Sequence, residues 1–282
     1  MRPRRFVALL GLVVLLLWSL QPPDDDVTLV LQFTVDRIPE VLLTLERWPG
    51  PTAMAVAIRG PDDRRYLALL PAPFVAVEVD RPYPINRLRN LARSLVKTRY
   101  YLYLEADMIP DRTLYAYVRA QVLPMMAWYP MRIYVVPFFK AYGTLSDLSM
   151  RDLVLAVKAG QVRPPMLRGA IDPGHRATDY PRWLRAEEPF KTCYFYGWEP
   201  YGVEPVTTPA YDERFTNQGG DKQVHLMLLQ ALGHQWWVIP EHWVLEADKE
   251  QERWTDFSNS SLFDGFARSI EQDYPGSLQR CN

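Results

Sequence analysis

Tyr100-Tyr101-Leu102-Tyr103-Leu104-Glu105-Ala106-Asp107-Met108-Ile109-Pro110 decides how the rest of this chain is read. An aromatic and apolar run of core-strand length ends in two carboxylates one residue apart, and Pro110 stops the strand. In an extended chain, residues two apart point the same way, so Glu105 and Asp107 are expected to project together from the strand's carboxyl end. In open α/β sheets that end is where ligands bind. Two hard oxygen ligands there suit a divalent cation that in turn holds phosphates.

Working outward, Val27–Phe33 reads as a buried strand, and Arg37–Trp48 as a helix with Asp36 as its cap and Pro49-Gly50-Pro51 as its stop. Strands follow at Ala53–Ile58 and Phe74–Val79, then a helix at Ile85–Val96 that leads into the carboxylate-tipped strand. Asp111 is expected to cap a helix to about Val122, and Arg132–Val136 is a further strand. Strands alternating with helical patterns predict a largely parallel α/β sheet in the first half.

The second half is less regular. Leu145–Ala159 and Lys222–Leu232 are predicted helices, Trp236–Pro240 a late strand, and Leu262–Ile270 a short amphipathic stretch. Gln161–Pro181, rich in proline and charge, reads as surface loop. No linker divides the folded part, so residues 27–282 are expected to form one domain.

The net charge of -1 gives no hint of nucleic acid as a partner. The 9 Trp and 16 Tyr suit either sugar-stacking surfaces or a large core. Arg2, Arg4 and Arg5 precede an uncharged run from Phe6 to Leu20, and Asp24-Asp25-Asp26 follow it. Basic residues before and acidic residues after predict a cytosolic tail (1–5), a signal anchor (6–22) and a short linker (23–26), with the bulk of the chain across the membrane. Cleavage as a signal peptide, giving a secreted protein, is the alternative, although no small-x-small site is visible. Asn259-Ser260-Ser261 is a glycosylation sequon, and the only two cysteines, Cys193 and Cys281, could pair.

Tyr83-Pro84-Ile85-Asn86-Arg87-Leu88-Arg89-Asn90, followed by Tyr101 to Pro110, resembles the signature of glycosyltransferase family 49, which holds LARGE-type and β-1,4-glucuronyltransferase domains. Glu199-Pro200-Tyr201, Tyr211-Asp212-Glu213-Arg214-Phe215, Asp221-Lys222 with His225, and Trp237-Val238-Ile239-Pro240 are similar to its later blocks, in the same order. The resemblance implies a GT-A fold: one α/β, Rossmann-like domain holding a nucleotide-sugar at the strand ends. It also implies an inverting, Mn²⁺-dependent (or Mg²⁺-dependent) transfer, with UDP-glucuronate as donor and a glycan as acceptor. A single-pass type II protein of the Golgi membrane is the setting that fits.

Residue by residue, Glu105 and Asp107 take the place of the family's D-x-D metal site, with Glu where Asp is usual. The family's late histidine ligand is absent. Glu246 falls at the equivalent position, and His242 is a more distant substitute. Asn86, Arg87, Arg89 and Asn90 straddle a helix start and suit donor phosphates or a uronate carboxylate, although Arg87 and Arg89 could lie on opposite sides. Asp221, after two glycines and before a helix, is the expected base, with Asp212 and Glu213 as rivals. Lys222 and Arg214 are candidates for a donor carboxylate. Trp198, Glu199 and Tyr201 are candidates for the acceptor sugar, and His225 for the core. The departures at the metal site leave a second expectation open: an inactive family member that binds glycans or assists a partner. A lectin-like lumenal module is a third.

Overall fold

The computed structural model describes residues 24–71, 73–141, 148–167, 170–171, 173–217, 219–247 and 259–278. The anchor expected at 6–22 lies outside them. Among the described residues no helix is long and apolar enough to cross a membrane.

In chain order the elements are β1 (Asp24–Thr34), α1 (Ile38–Arg47), β2 (Thr52–Ile58), β3 (Phe74–Glu78), α2 (Ile85–Ser94), β4 (Thr98–Glu105) and β5 (Met108–Pro110). Then come α3 (Leu114–Tyr117), α4 (Leu123–Trp128), β6 (Arg132–Val136), β7 (Phe138–Ala141), α5 (Met150–Lys158), β8 (Val162–Arg163), β9 (Met166–Leu167) and β10 (Ala170–Ile171). The chain continues through α6 (Tyr180–Trp183), β11 (Phe190–Thr192), β12 (Tyr201–Pro205), α7 (Gln223–Ala231), β13 (Gln235–Val238), β14 (Val244–Ala247) and α8 (Ser260–Asp273).

The main sheet runs β11-β13-β6-β12-β4-β1-β2-β3. The first half is parallel as expected: β3, β2, β1 and β4 all run the same way. The second half mixes directions, because β12 inserts antiparallel between β4 and β6, and β11 runs antiparallel to β13. After β1 the chain builds outward to β3 and then returns to lay β4 on the other side of β1. That reversal is a topological switch point, and it opens a crevice at the carboxyl ends of β1 and β4. β4 is buried on both faces, which is why its sequence is apolar without alternation. Leu102 and Leu104 pack with Leu29 and Leu31 against α1, α3 and α4, while Tyr101 and Tyr103 meet Leu88 and Ala92 of α2.

The deciding stretch is two strands, not one. β4 ends at Glu105, a turn takes Ala106 and Asp107, and β5 then joins a second sheet of order β5-β14-β7-β8. Pro110 does not simply end a strand; it sits on β5, an edge strand, where a missing N–H is tolerated.

Other boundaries differ for local reasons. α1 is capped by Arg37 without a side-chain bond, because Asp36 falls inside a preceding 3₁₀ turn. Pro124 has no N–H to donate, and a π-turn at Val118–Val122 separates α3 from α4 just ahead of it. The 161–181 region is not plain surface loop: it carries β8 to β10 and a 3₁₀ turn at Pro173–Thr178, with His175, Thr178 and Tyr180 buried. Cys193 is disulfide-bonded. Cys281, the chain's other cysteine, lies outside the described residues.

Candidate active site

Arg89 is the hub of the crevice. It is fully buried on α2, donating from Nη1 to Asp221 Oδ2 at 2.6 Å and from Nη2 to Glu105 Oε1 at 3.0 Å. Asn86, one helical turn earlier, accepts from Arg89 at 2.7 Å and donates to the backbone carbonyls of Asp212 (2.8 Å) and Asp221 (2.9 Å). Asn90 exchanges hydrogen bonds with the backbone of Tyr211 and donates to Glu213. Arg93 donates to the carbonyls of Val206, Thr208 and Pro209. Positions i, i+3, i+4 and i+7 share one helix face. The polar face of α2 is therefore a staple that fastens the 206–221 segment to β4. Arg87 is exposed, on the other side of the helix from Arg89.

Glu105 has both oxygens engaged. Oε1 meets Arg89, while Oε2 accepts from Tyr103 at 2.9 Å and Gln32 at 3.4 Å. Burial works against its charge, but Arg89, Lys222 and these hydrogen bonds hold its carboxyl below the ordinary range. The turn after β4 separates Asp107 from Glu105 and sets it 3.9 Å from Arg37. Glu246 on β14 stands in register with Met108 of β5 and with Lys140 of β7, so it sits beside Asp107 and pairs with Lys140 at 3.1 Å. Burial, with the charge of Asp107, raises the Glu246 pKa against the pull of Lys140.

Tyr201, buried on β12, marks the centre. Burial, then the charges of Glu105, Glu246, Glu199 and Asp107, push its phenol well up. Lys222 lies over its ring at 4.0 Å. Glu199 comes beside it, with Oε1 accepting from Gln223 at 2.5 Å and Oε2 3.9 Å from Lys222. Burial raises the Glu199 pKa, the charges of Asp221 and Glu105 add to it, and Lys222 opposes.

The crevice thus brings together Glu105, Asp107, Glu246, Glu199, Asp221, Lys222 and Tyr201. Other sequence candidates lie elsewhere. Trp198 is fully buried against Trp236 and offers no face to a sugar. Arg214 is exposed and clamps Asp212 at 2.6 Å, which lowers the Asp212 pKa. Glu213 is exposed and held by Asn90. His242 belongs to the start of α3, bonded to Asp111 at 3.2 Å and packed at a tilt against Tyr117. His225 is a core residue, as expected, pairing with Glu204 at 3.1 Å. Asp221 has both oxygens occupied, by Arg89 and by the Gly219 N–H. Its backbone is set by Gly220, at φ +80, where an added Cβ would meet the Phe263 ring at 2.7 Å.

Three residues were missed in the sequence: Arg37, Lys140 and His175. Lys140 had a signal, being a lone cation in the apolar run Phe138–Ala141, but that run was not assigned as a strand. His175 had none, in a stretch that looked like loop.

The carboxylates that would hold the expected Mn²⁺ or Mg²⁺ are Glu105, Asp107 and Glu246, with donor phosphates and water completing its shell. Among the described residues no three carboxylate, histidine or cysteine side chains gather in one cluster, and a cation that bridges phosphates needs only one or two carboxylates of the protein. Each of Glu105, Asp107 and Glu246 also faces a cation of the chain: Arg89, Arg37 and Lys140.

A model of the family described as "Glycosyl-transferase for dystroglycan", glycosyltransferase family 49, matches residues 71–275. Human xylosyl- and glucuronyltransferase LARGE2 is 31% identical over 235 residues, covering 78% of this chain and 32% of that protein. The mouse protein of that name is 30% identical over 234 residues (78% and 34%). Glycosyltransferase-like protein gnt14 of Dictyostelium discoideum is 29% identical over 245 residues (81% and 38%). The chain spans about a third of the length of these relatives. Among solved structures, GalNAc-T7 with UDP, GalNAc and Mn²⁺ superposes with a TM-score of 0.58 at 12% identity, covering 88% of this chain and 47% of that one. S. aureus TarS 1-349 with UDP-GlcNAc gives 0.54 at 11%, covering 88% and 66%. These two likenesses bear on the fold alone, a mixed α/β architecture of the GT-A kind. By its match over well over half its length, the chain belongs to glycosyltransferase family 49.

Proposed function

We propose that this chain transfers a sugar, glucuronate by preference, from a UDP-linked donor to a glycan hydroxyl with inversion. The reading places it in the Golgi membrane as a type II protein, on the strength of the basic-then-apolar amino terminus. The observation that carries the chemistry is Glu199. It is a carboxylate of raised pKa at the switch-point crevice, with no hydrogen bond to Oε2 from the described residues and a buried ammonium 3.9 Å away. Glu246 is also raised but is held by Lys140 at 3.1 Å, and Asp221 has no free oxygen.

In this reading the acceptor oxygen bonds to the anomeric carbon as the bond from that carbon to the β-phosphate oxygen breaks. Glu199 takes the hydroxyl proton, and UDP leaves with the electron pair. Lys222 offsets the charge growing on the leaving group. A divalent cation would have to displace Arg37 from Asp107 and Lys140 from Glu246.

The test is UDP release by the full chain against a panel of UDP-sugars and glycan acceptors, with Mn²⁺ and with chelator. No release with any donor, together with no UDP binding by calorimetry, sinks the reading. The cation paired with each candidate ligand favours one rival, an inactive member that binds glycan. That rival predicts glycan binding that survives Asp107→Ala, without metal-dependent UDP affinity.

A further inference from the structure

Trp128, Tyr129, Pro130 and Met131 follow one another between α4 and β6, all of them exposed, and Trp128 is 82% exposed. α4 turns Leu123 and Met126 into the core and leaves Trp128 outside. Beside this loop lies the turn before β13. There the Gln235 N–H donates to the Met131 carbonyl at 2.8 Å, and Leu232, at the end of α7, is exposed as well. Arg132 fixes the patch, its guanidinium 3.6 Å from the Tyr129 ring centroid and 3.9 Å from that of Trp237. Single exposed apolar residues need no explanation, but two aromatics, a methionine and a leucine on adjoining turns mark a contact surface.

Strand register puts this surface at the end of the sheet where the chain enters it. β12 runs antiparallel to both β4 and β6, and its Val203 pairs with Leu102 of the one and Tyr134 of the other. Arg132 is therefore level with Tyr100, which pairs with Val27 of β1. β12 and β4 separate β6 from β1, a lateral distance of about 14 Å. β1 begins at Asp24, four peptide steps after Leu20, the last residue of the uncharged run Phe6–Leu20.

Anchored by that run, the amino end of the sheet is held within about 14 Å of the hydrocarbon edge, even with the four steps fully extended. The polar layer of a bilayer takes up about 5–8 Å of that gap. What remains is less than the diameter of one helix, about 10 Å, so no folded partner fits between. Trp and Tyr favour such a boundary, with an apolar ring and a polar edge. The acidic residues there do not oppose it, because Asp25 pairs with Arg99 at 3.1 Å and Asp26 with Arg119 at 3.3 Å.

Resting on the membrane anchor proposed above, we infer that Trp128, Tyr129, Met131 and Leu232 dock on the lipid headgroup layer, so that the folded domain lies against its own membrane. The crevice, at the opposite ends of β1 and β4, then opens about 23 Å along β4 from that surface and away from it.

Tryptophan quenching by lipids with brominated acyl chains tests this on the full chain in phosphatidylcholine vesicles, for the parent, Trp18→Phe, Trp128→Phe and the double variant. Trp18 lies within the apolar run, so its share of the quenching reports anchoring, and the share of Trp128 reports docking. Each single variant is expected to lose part of the parent's quenching, and the double variant nearly all of it. If Trp18→Phe removes all the quenching and Trp128→Phe none, docking is overturned and the anchor stands. A parent that is not quenched at all overturns both. A chain that is dimeric in detergent, becomes monomeric with Trp128→Ser and Met131→Ser, and shows no share for Trp128 gives the surface to a second copy and also overturns lipid docking. Circular dichroism of the variants should match the parent, since Trp128 is not part of the core.

Discussion

Arg89 Nη1 lies 2.6 Å from Asp221 Oδ2, joining a helix in the first half of the chain to a loop more than a hundred residues later. The same guanidinium reaches Glu105 at 3.0 Å, so one buried cation holds the end of β4 and the start of α7 in a single arrangement.

Arg89→Met should therefore be among the most damaging single changes in the chain. It leaves two carboxylates in the crevice without their partner, a situation that costs about 3–5 kcal/mol. Chemical denaturation checks this. Adding Glu105→Gln and Asp221→Asn to the same chain should recover part of the loss, and strict additivity would show that the three are not one unit.

Glu199→Gln should lower kcat by roughly 10²–10⁴-fold while UDP affinity and melting temperature hold near parent values. A base works when deprotonated, so kcat/KM should climb with pH through a value above the ordinary 4.5 and then level off. The variant should lose that limb. Asp221→Asn, in contrast, should act mainly on stability.

His175 gives an acid-sensitive stability. Unfolded, its imidazole takes a proton near 6.5; folded, it resists until about pH 3. Its contribution is complete above pH 6.5 and is lost as pH falls toward 3, with a slope approaching ~1.4 kcal/mol per pH unit. Denaturation midpoints at several pH values, compared between parent and His175→Asn, isolate this slope. Identical pH dependence in the two would refute it.

Asn259 should carry no glycan despite its sequon. Its amide is buried and donates to the Thr216 carbonyl at 2.7 Å, so attachment would break that bond and push the start of α8 away. Mass spectrometry of protein from a secretory host should find the site unmodified. Asn259→Ala should cost about 1–2 kcal/mol.

Arg214→Ala should change stability by no more than about 0.5 kcal/mol and leave UDP-sugar affinity alone, since an exposed ion pair contributes little. A clear loss of donor affinity would return Arg214 to the site.

By itself the sequence determined the parallel half of the sheet, the helix that covers it, and the stretch whose strand end meets the crevice. Those features rest on local regularities: apolar runs, helical spacing and proline stops. It also marked Asn86, Arg87, Arg89 and Asn90 for the donor and Asp221 as the base, but not that Arg89 and Asp221 hold each other. Whether such residues hold a ligand or hold one another depends on which groups lie opposite, and only the tertiary structure decided that. Arg89 faces Asp221 across 132 positions of chain, and Glu246 meets Lys140 because β14 and β7 share a register. The turn at Ala106-Asp107, which separates the two carboxylates of the opening stretch, follows from β5 pairing with β14, a partner more than a hundred residues away. His175 entered the crevice for the same reason: its turn is fastened at Gly174 to Glu199, a contact that no local pattern encodes.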